Sequence, residues 1–127
     1  VFDRVEPLMV EINAGQMKQV VLNLVANALQ ATPAGGEVVV ELQEQVDFVV
    51  LTVTDTGSGM DAETIQHIFD PLFTTKDAGQ GTGLGLSITH RIIEDHHGTI
   101  VPLSKGPGCG ATFRIRIPRH QPSLQAA

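Results

Sequence analysis

This sequence lacks the features that mark disulfide-bonded, membrane-spanning and secreted proteins. It has no tryptophan, no tyrosine and a single cysteine, Cys109, in 127 residues. No apolar run approaches the about 18 residues that a transmembrane helix needs, and no signal peptide opens the chain. Because Cys109 has no partner for an internal disulfide, we expect a cytoplasmic domain, whether or not the full-length protein is anchored in a membrane. Between two glycines, Cys109 is interpreted as a small turn residue.

Basic residues are also scarce. Eight lysines and arginines face 14 acidic residues, which gives a net charge of −6. Nucleic-acid phosphates are bound by clustered basic side chains, so the charge argues against a nucleic-acid-binding surface. Arg114 and Arg116 alternate with apolar residues, which is typical of the solvent side of a strand. With 42% hydrophobic residues the chain is predicted to be globular. We also expect the isolated domain to be a monomer without membrane contact.

Apolar periodicity and turn residues predict an α/β sandwich of about five strands and about three helices. The helices are expected over 15–32, 60–70 and 83–98, and the strands over 7–12, 37–43, 48–55, 99–104 and 110–118. A tight turn at 45–47 predicts a hairpin between the second and third strands. In the last helix, Leu84, Ile88 and Ile92 form the predicted apolar stripe. Gly98 is predicted to end this helix.

The first predicted helix carries a narrow stripe of uncharged amides. Gln16, Gln19, Asn23, Asn27 and Gln30 fall within about 80° of its circumference. Nearly all its other residues are apolar, so the helix is expected to be buried except along this stripe. Carboxamide oxygens can ligate a hard cation or its water shell. The stripe therefore indicates either that these amides line a polar cavity or that the helix is buried on both sides and exposes only one narrow edge to solvent.

A carboxylate stands in a buried register. Val49, Leu51 and Val53 share one face of the second hairpin strand, and the period of two puts Asp55 on that same face. A buried charge needs hydrogen-bond donors. Backbone N–H groups in the following turn, 57–59, could supply them, and so could a ligand amine such as the exocyclic amine of adenine.

The glycine-rich stretch 79–86 leads into the last helix. It fails the G-x-G-x-x-G dinucleotide pattern, and it lacks the Gly-Lys-Ser/Thr of a P-loop because Lys76 follows Thr75. Free N–H groups at a helix start can seat a phosphate without lysine. The alternative is an ordinary flexible loop with Thr82 as an N-cap. The glycine-loop residues that would serve the phosphate are Gly81, Thr82, Gly83 and Gly85.

Four stretches stand in a familiar order: 19–32, 55–60, 68–76 and 81–88. They resemble the N, G1, F and G2 boxes of the catalytic ATP-binding domain of sensor histidine kinases, and the similarity covers roughly residues 8–118. The short segment "FTTK" is most similar to the nitrogen-regulation kinases. Four boxes in order with sensible spacing form a specific signal, although each box alone is loose.

The resemblance implies a mixed, mostly antiparallel sheet with the helices on one face and Mg-ATP beneath a mobile lid at about 74–82. It also implies one catalytic domain over 1–127, with a core at about 8–118 and a loose tail at 119–127. The dimerisation, phosphoacceptor and sensor domains are then expected to lie outside this chain.

Site roles follow residue by residue from the same resemblance. Asn27 would ligate Mg²⁺, with Asn23 nearby toward the phosphates, and Lys76 would reach the γ-phosphate. Asp55 would bind the adenine amine and Met60 would flank the base. Gly57 and Gly59 would admit the base, two phenylalanines would anchor the lid, and loop amides would face the phosphates. The full set of further contacts is Gly57, Gly59, Phe69, Phe73, Thr75, Gly81, Thr82, Gly83, Leu84, Gly85 and Leu86.

The chain also departs from the family pattern. Ala111 follows the last-strand glycine, where relatives often have threonine. Many relatives carry lysine and an aromatic residue at the positions of Gln30 and Ala31. His97 stands where many relatives have glycine.

The reaction class depends on Asn23. Water-using ATPases of the superfamily have a glutamate there as general base, and an amide cannot take a proton. We therefore expect γ-phosphate transfer to a histidine on a separate dimerisation domain, which then serves a response regulator. The alternatives are an anti-sigma-type serine kinase and a water-using ATPase. None of the chain's own histidines resembles the acceptor: His67, His90, His96, His97 and His120.

Overall fold

A computed structural model of the protein describes residues 13–71 and 85–119. The helices and strands in these ranges are α1 (Ala14–Ala31), β1 (Val38–Glu44), β2 (Phe48–Asp55), α2 (Ala62–His67), α3 (Gly85–Asp95), β3 (Thr99–Leu103) and β4 (Ala111–Pro118). The strands form one sheet in the order β1-β2-β4-β3, and every described pairing is antiparallel. The predicted α/β sandwich is confirmed. The predicted strand at 7–12 and the tail beyond residue 119 lie outside the described residues.

The sheet is built around the hairpin that the sequence predicts. The N–H of Gln45 donates to the carbonyl of Phe48 at 2.8 Å and closes the turn between β1 and β2. Leu51 and Val53 of β2 stand opposite Ile115 and Phe113 of β4. These four side chains are buried and form the sheet half of the core. Their shared face is the one that the alternating pattern assigns to the interior.

Helix α1 supplies the other half of the core. It begins one residue before the predicted start, because the side chain of Asn13 accepts a hydrogen bond from the N–H of Gln16 at 2.9 Å and caps it. Its fully buried positions are Val20, Leu24 and Ala28, a stripe with the spacing of one helix face.

The expectation that α1 is buried all round except for its amides is wrong. Leu22 and Leu29 are 58% and 60% exposed. The helix lies on one layer of sheet with α3 beside it, so protein covers one stripe and part of the flanks. The amide residues Asn23 and Asn27 are half-buried, at the edge of the covered side.

The buried face of α3 differs from the apolar stripe that the sequence predicts. Ile92 is buried as expected, but Ile88 is 38% exposed, and Leu84 lies outside the described residues. The buried positions are Thr89, Ile92 and Ile93. One residue of offset turns the buried face by about 100°, and a polar residue, Thr89, occupies the place expected of an apolar one.

The end of α3 shows why many relatives carry glycine at the position of His97. The N–H groups of His97 and Gly98 donate to the carbonyls of Glu94 and Ile93, both at 2.9 Å, which is the bonding of a Schellman motif. His97 takes the left-handed conformation there, with φ of 60°. Glycine is favoured at this position because it has no Cβ, so the residue that many relatives carry suits the backbone better than histidine does.

Candidate functional site

Asn23 links α1 directly to the first turn of α3. Its amide nitrogen donates to the carbonyl of Gly85 and to the hydroxyl of Thr89, each at 3.3 Å. Thr89 in turn donates to the same carbonyl of Gly85 at 2.8 Å. The structure therefore brings together two predicted site residues, Asn23 and Gly85, through a third residue, Thr89, that the sequence did not single out.

Asp55 ends β2 with its side chain buried, 4% exposed. One carboxylate oxygen, Oδ1, accepts from the N–H of Gly57 at 2.8 Å and from the N–H of Ala111 at 3.3 Å. Within residues 13–71 and 85–119, no hydrogen bond reaches the other oxygen, Oδ2. The backbone donors that were expected are thus present, and one oxygen remains for a ligand donor.

The two glycines after Asp55 are needed for packing inside the protein. A Cβ on Gly57 would lie 2.2 Å from the carbonyl oxygen of Ala31 at the end of α1, and one on Gly59 would lie 2.2 Å from the carbonyl oxygen of Gly106. Gly59 also has a positive φ of 69°. Because protein atoms account for both glycines, the approach of a base to them stays a prediction.

Ser104 organises this end of the site, and the sequence analysis missed it. Its hydroxyl accepts from the N–H of Met60 at 3.0 Å and donates to the carbonyl of Gly110 at 2.7 Å. It thereby joins the 104–110 loop to the segment that follows Asp55. Met60 is buried in the core cluster. A serine ahead of a glycine-rich loop was the only signal in the sequence, and it is a weak one.

Phe69 holds the end of α2 against α3. Its ring stacks on His90 with centroids 4.8 Å apart, and it meets Phe113 of β4 edge-on at 6.4 Å. His90 also pairs with Glu94 at 3.0 Å, between Nδ1 and a carboxylate oxygen. Phe69 lies five residues before the segment that is predicted to form the lid, 74–82.

The remaining predicted contacts divide into two groups. Leu86 is half-buried and packs against the core cluster, and Asn27 lies one turn after Asn23 on α1. The others lie outside the described residues, together with the predicted mobile segment 74–82. These are Phe73, Thr75, Lys76, Gly81, Thr82, Gly83 and Leu84.

Helix α1 connects the two ends of the site. Its last residue, Ala31, accepts a hydrogen bond from the N–H of Ser58 at 3.1 Å, just beyond Asp55. Asn23 stands eight residues earlier, about 12 Å along the axis at 1.5 Å per residue. Asp55, the candidate for binding the base, is therefore well separated from Gly85 at the start of α3. A nucleotide with several phosphates can span this distance, and a base alone cannot.

An open cleft lies at the Ala31 end of α1. It has a volume of about 500 Å³ and includes both positions at which relatives often carry lysine and an aromatic residue. Its lining residues are Gln30, Ala31, Thr32, Pro33, Thr56, Gly57, Ser58 and Gly108. The small Ala31 side chain leaves space there that a ring would fill.

The donor set fits a magnesium ion that arrives with a nucleotide. Among the described residues, no three His, Cys, Asp or Glu side chains come together in a way that could hold a metal. Along α1, Asn23 and Asn27 carry neutral carboxamide oxygens, a ligand type that hard cations accept. Mg²⁺ is commonly bound through few protein oxygens, with substrate phosphates and water completing its shell. A metal held by the protein alone would need more charge.

The comparisons with known proteins decide the family. A family model described as histidine kinase-, DNA gyrase B-, and HSP90-like ATPase matches residues 12–121. The chain belongs to this family. The solved catalytic domain of the histidine kinase ThkA is similar to it with a TM-score of 0.81 and 38% identity, over 94% of this chain and 77% of that one. Within the family, the chain thus belongs with the histidine kinase catalytic domains.

Curated relatives of this histidine kinase catalytic domain are much longer. The sensor kinase CckA of Brucella abortus is 39% identical over 125 residues, which cover 87% of this chain and 13% of that protein. The sensor histidine kinase ZraS of Escherichia coli is 41% identical over 109 residues, which cover 86% of this chain and 23% of that protein. The chain therefore spans less than a quarter of either relative. In the part that the structure describes, no helix has the length and apolarity to cross a membrane.

Proposed function

We propose that this domain binds ATP with Mg²⁺ and transfers the γ-phosphoryl group to a histidine on a separate dimerisation domain. The observation that carries the proposal is Asp55, whose buried carboxylate has one oxygen satisfied by two backbone donors and the other unbonded among the described residues. A buried acceptor is costly without a donor. The exocyclic amine of adenine is such a donor, whereas guanine offers an acceptor at the corresponding position.

The phosphate end of the nucleotide is proposed to lie between α1 and the start of α3. Asn27 would hold Mg²⁺, and Asn23 stands one turn away, bonded to Gly85. Magnesium, when bound, neutralises the charge that develops on the transferring phosphoryl group. The other assignments remain part of this proposal: Lys76 at the γ-phosphate, Phe69 and Phe73 as lid anchors, Met60 beside the base, and Thr75, Gly81, Thr82, Gly83, Leu84 and Leu86 at the nucleotide.

Transfer to histidine is favoured over hydrolysis because of Asn23. Its amide nitrogen donates to two acceptors, and no atom of an amide takes a proton from water at neutral pH. In a neutral histidine, one ring nitrogen carries a lone pair and no proton, so unlike water it can attack without first losing a proton to a base. This nitrogen forms the bond to the γ-phosphorus, the bond to the bridging oxygen breaks, and ADP leaves. The domain would then need to supply positioning and charge neutralisation only.

The wider setting is proposed on the same basis. The acceptor domain, and a response regulator that takes the phosphoryl group from it, are the partners of the full-length protein. The domain itself acts as a cytoplasmic monomer without nucleic acid or membrane contact. The segment "FTTK" favours the nitrogen-regulation subtype of kinase.

Titration calorimetry with ATP and GTP tests the role of Asp55. The wild-type domain should prefer ATP, and Asp55→Asn should weaken ATP binding by about 2 kcal/mol, roughly 30-fold, because the new amide puts a donor against the adenine amine. The matched control is Asp47→Asn, in the exposed hairpin turn, which should leave both affinities unchanged. Equal affinities of the wild type for ATP and GTP would refute the assignment.

A further inference from the structure

Thr89 is a fully buried polar residue on α3, with 0% of its surface exposed. Its hydroxyl hydrogen is committed to the carbonyl of Gly85 at 2.8 Å. Its oxygen is therefore an acceptor toward Asn23, whose amide nitrogen lies 3.3 Å away. A threonine inside a helix often donates to the carbonyl four residues before it. Here the same hydroxyl has a second partner on a different helix.

These bonds fix which way the carboxamide of Asn23 faces. The carbonyl of Gly85 can only accept, so the nitrogen of the amide, not its oxygen, must lie against α3. The two amide hydrogens are then used, one toward Gly85 and one toward Thr89. The amide oxygen has no hydrogen bond to any residue within 13–71 or 85–119, and its orientation follows from that of the nitrogen.

An amide held this way discriminates between ligand groups. Phosphate oxygens accept hydrogen bonds, and Asn23 has no hydrogen left to give them. A bare amide oxygen suits a hard cation or a water molecule in its shell. The oxygen of Asn23 is therefore matched to the metal of a metal–nucleotide complex and not to the phosphates.

We infer that Thr89 is a positioning residue that holds Asn23 with its amide oxygen presented to Mg²⁺ or to metal-bound water. The inference rests on the proposed function, because it requires that Mg-ATP occupies this site. It differs from the sequence-based expectation that Asn23 faces the phosphates. If Thr89 only packs α3 against α1, its hydroxyl will not affect the metal dependence of binding.

Three variants separate these roles. Thr89→Val keeps the shape but removes the hydroxyl, Thr89→Ser keeps the hydroxyl, and Thr52→Val makes the same change on the outward face of β2. ATP affinity is measured by calorimetry across a magnesium series, including a chelated, metal-free sample. Thr89→Val should raise the magnesium concentration for half-maximal binding about tenfold and change metal-free ATP affinity less than twofold. Thr89→Ser and Thr52→Val should match the wild type.

Several results would overturn the inference. They are an unchanged magnesium midpoint in Thr89→Val, or an equal loss of metal-free and metal-dependent affinity. If Thr89→Val does not fold, NMR of the wild type decides: slow exchange of the Asn23 side-chain amide hydrogens supports the inference, and fast exchange refutes it. A wild-type domain that binds no ATP at all would reject the proposed function itself, which is a separate and recognisable outcome.

Discussion

Two adjacent histidines at the end of α3 occupy very different environments. His96 is buried, with Nδ1 donating to the carbonyl of Ile92 at 2.8 Å and Nε2 accepting from the N–H of Asn13 at 3.1 Å. It thereby ties the start of α1 to the end of α3. His97 is exposed and sits in the left-handed conformation. The sequence "HH" therefore combines a structural residue with a strained one, and neither belongs to a metal cluster among the described residues.

Replacing His97 with glycine should stabilise the domain. A left-handed residue with a Cβ is disfavoured relative to glycine, and His97 closes the Schellman motif at φ of 60°. We expect His97→Gly to raise the free energy of unfolding by about 1 kcal/mol, measured by denaturant titration. His97→Ala is the control, since alanine keeps the Cβ and should not share the gain. An equal gain in both variants would show that backbone conformation is not the cause.

At the scale of elements, α2 is held by contacts at both its ends. Asp61 caps its start by accepting from the N–H of Thr64 at 2.7 Å, and Phe69 stacks on His90 just beyond its end. The helix is six residues long and has no buried residue of its own. Isolated helices of that length are marginal, so these end contacts stabilise α2 together with half-buried Ile65, which packs against the core.

The cap makes the stability of α2 depend on pH. Hydrogen bonds from the N–H of Thr64 and then from its hydroxyl lower the pKa of Asp61 below its ordinary value. A lowered folded-state pKa means that the cap stabilises above the unfolded pKa and that this contribution is lost as pH falls through the folded one. The protection factors for amide exchange across Ala62–His67, which are rates corrected for the intrinsic pH dependence of exchange, should therefore fall on acidification through the Asp61 titration. Asp61→Asn keeps an acceptor that does not titrate, so the same fall in protection in that variant would contradict the account.

The stack at the other end of α2 should be measurable by mutation. His90→Ala removes the ring on which Phe69 rests and should destabilise the domain by about 1 kcal/mol, the value typical of an aromatic pair. Glu94→Gln is the control, because it removes the carboxylate that lies 3.0 Å from Nδ1 of His90 but keeps the stack. A larger loss in Glu94→Gln than in His90→Ala would mean that the contact with Glu94, not the stack, holds α2.

At the scale of the whole molecule, the periodicity of the sequence predicted the helices and strands better than it predicted which residues pack against one another. The hairpin and the buried face of β2 follow from local patterns. The exposure of Leu22 and Ile88 does not, because a helix pattern cannot tell which apolar stripe a single sheet will cover. Thr89 and Ser104 were missed for a related reason. Their partners lie 66 and 44 residues away in sequence, Asn23 and Met60, so no local signal marks the contacts.

Asn23 and Asp55 also show what the sequence predicts and what only the structure adds. The sequence placed Asp55 in a buried register, and the structure adds that one of its oxygens is already satisfied by the backbone. The amide stripe predicted that Asn23 faces a polar site, but the direction of its amide depended on Gly85 and Thr89 across the helix interface.

The central claim is that this domain transfers the γ-phosphoryl group of ATP to histidine on another domain. Its most direct test incubates the domain with Mg²⁺ and γ-labelled ATP, alone and with a separate dimerisation domain that carries the acceptor histidine. The account predicts very slow ATP hydrolysis and no self-labelling by the domain alone. With the acceptor domain present, it predicts label on that domain that is labile in acid and stable in alkali, as a phosphoramidate is. Acid-stable phosphoserine on the partner, or brisk hydrolysis by the domain alone, would contradict it.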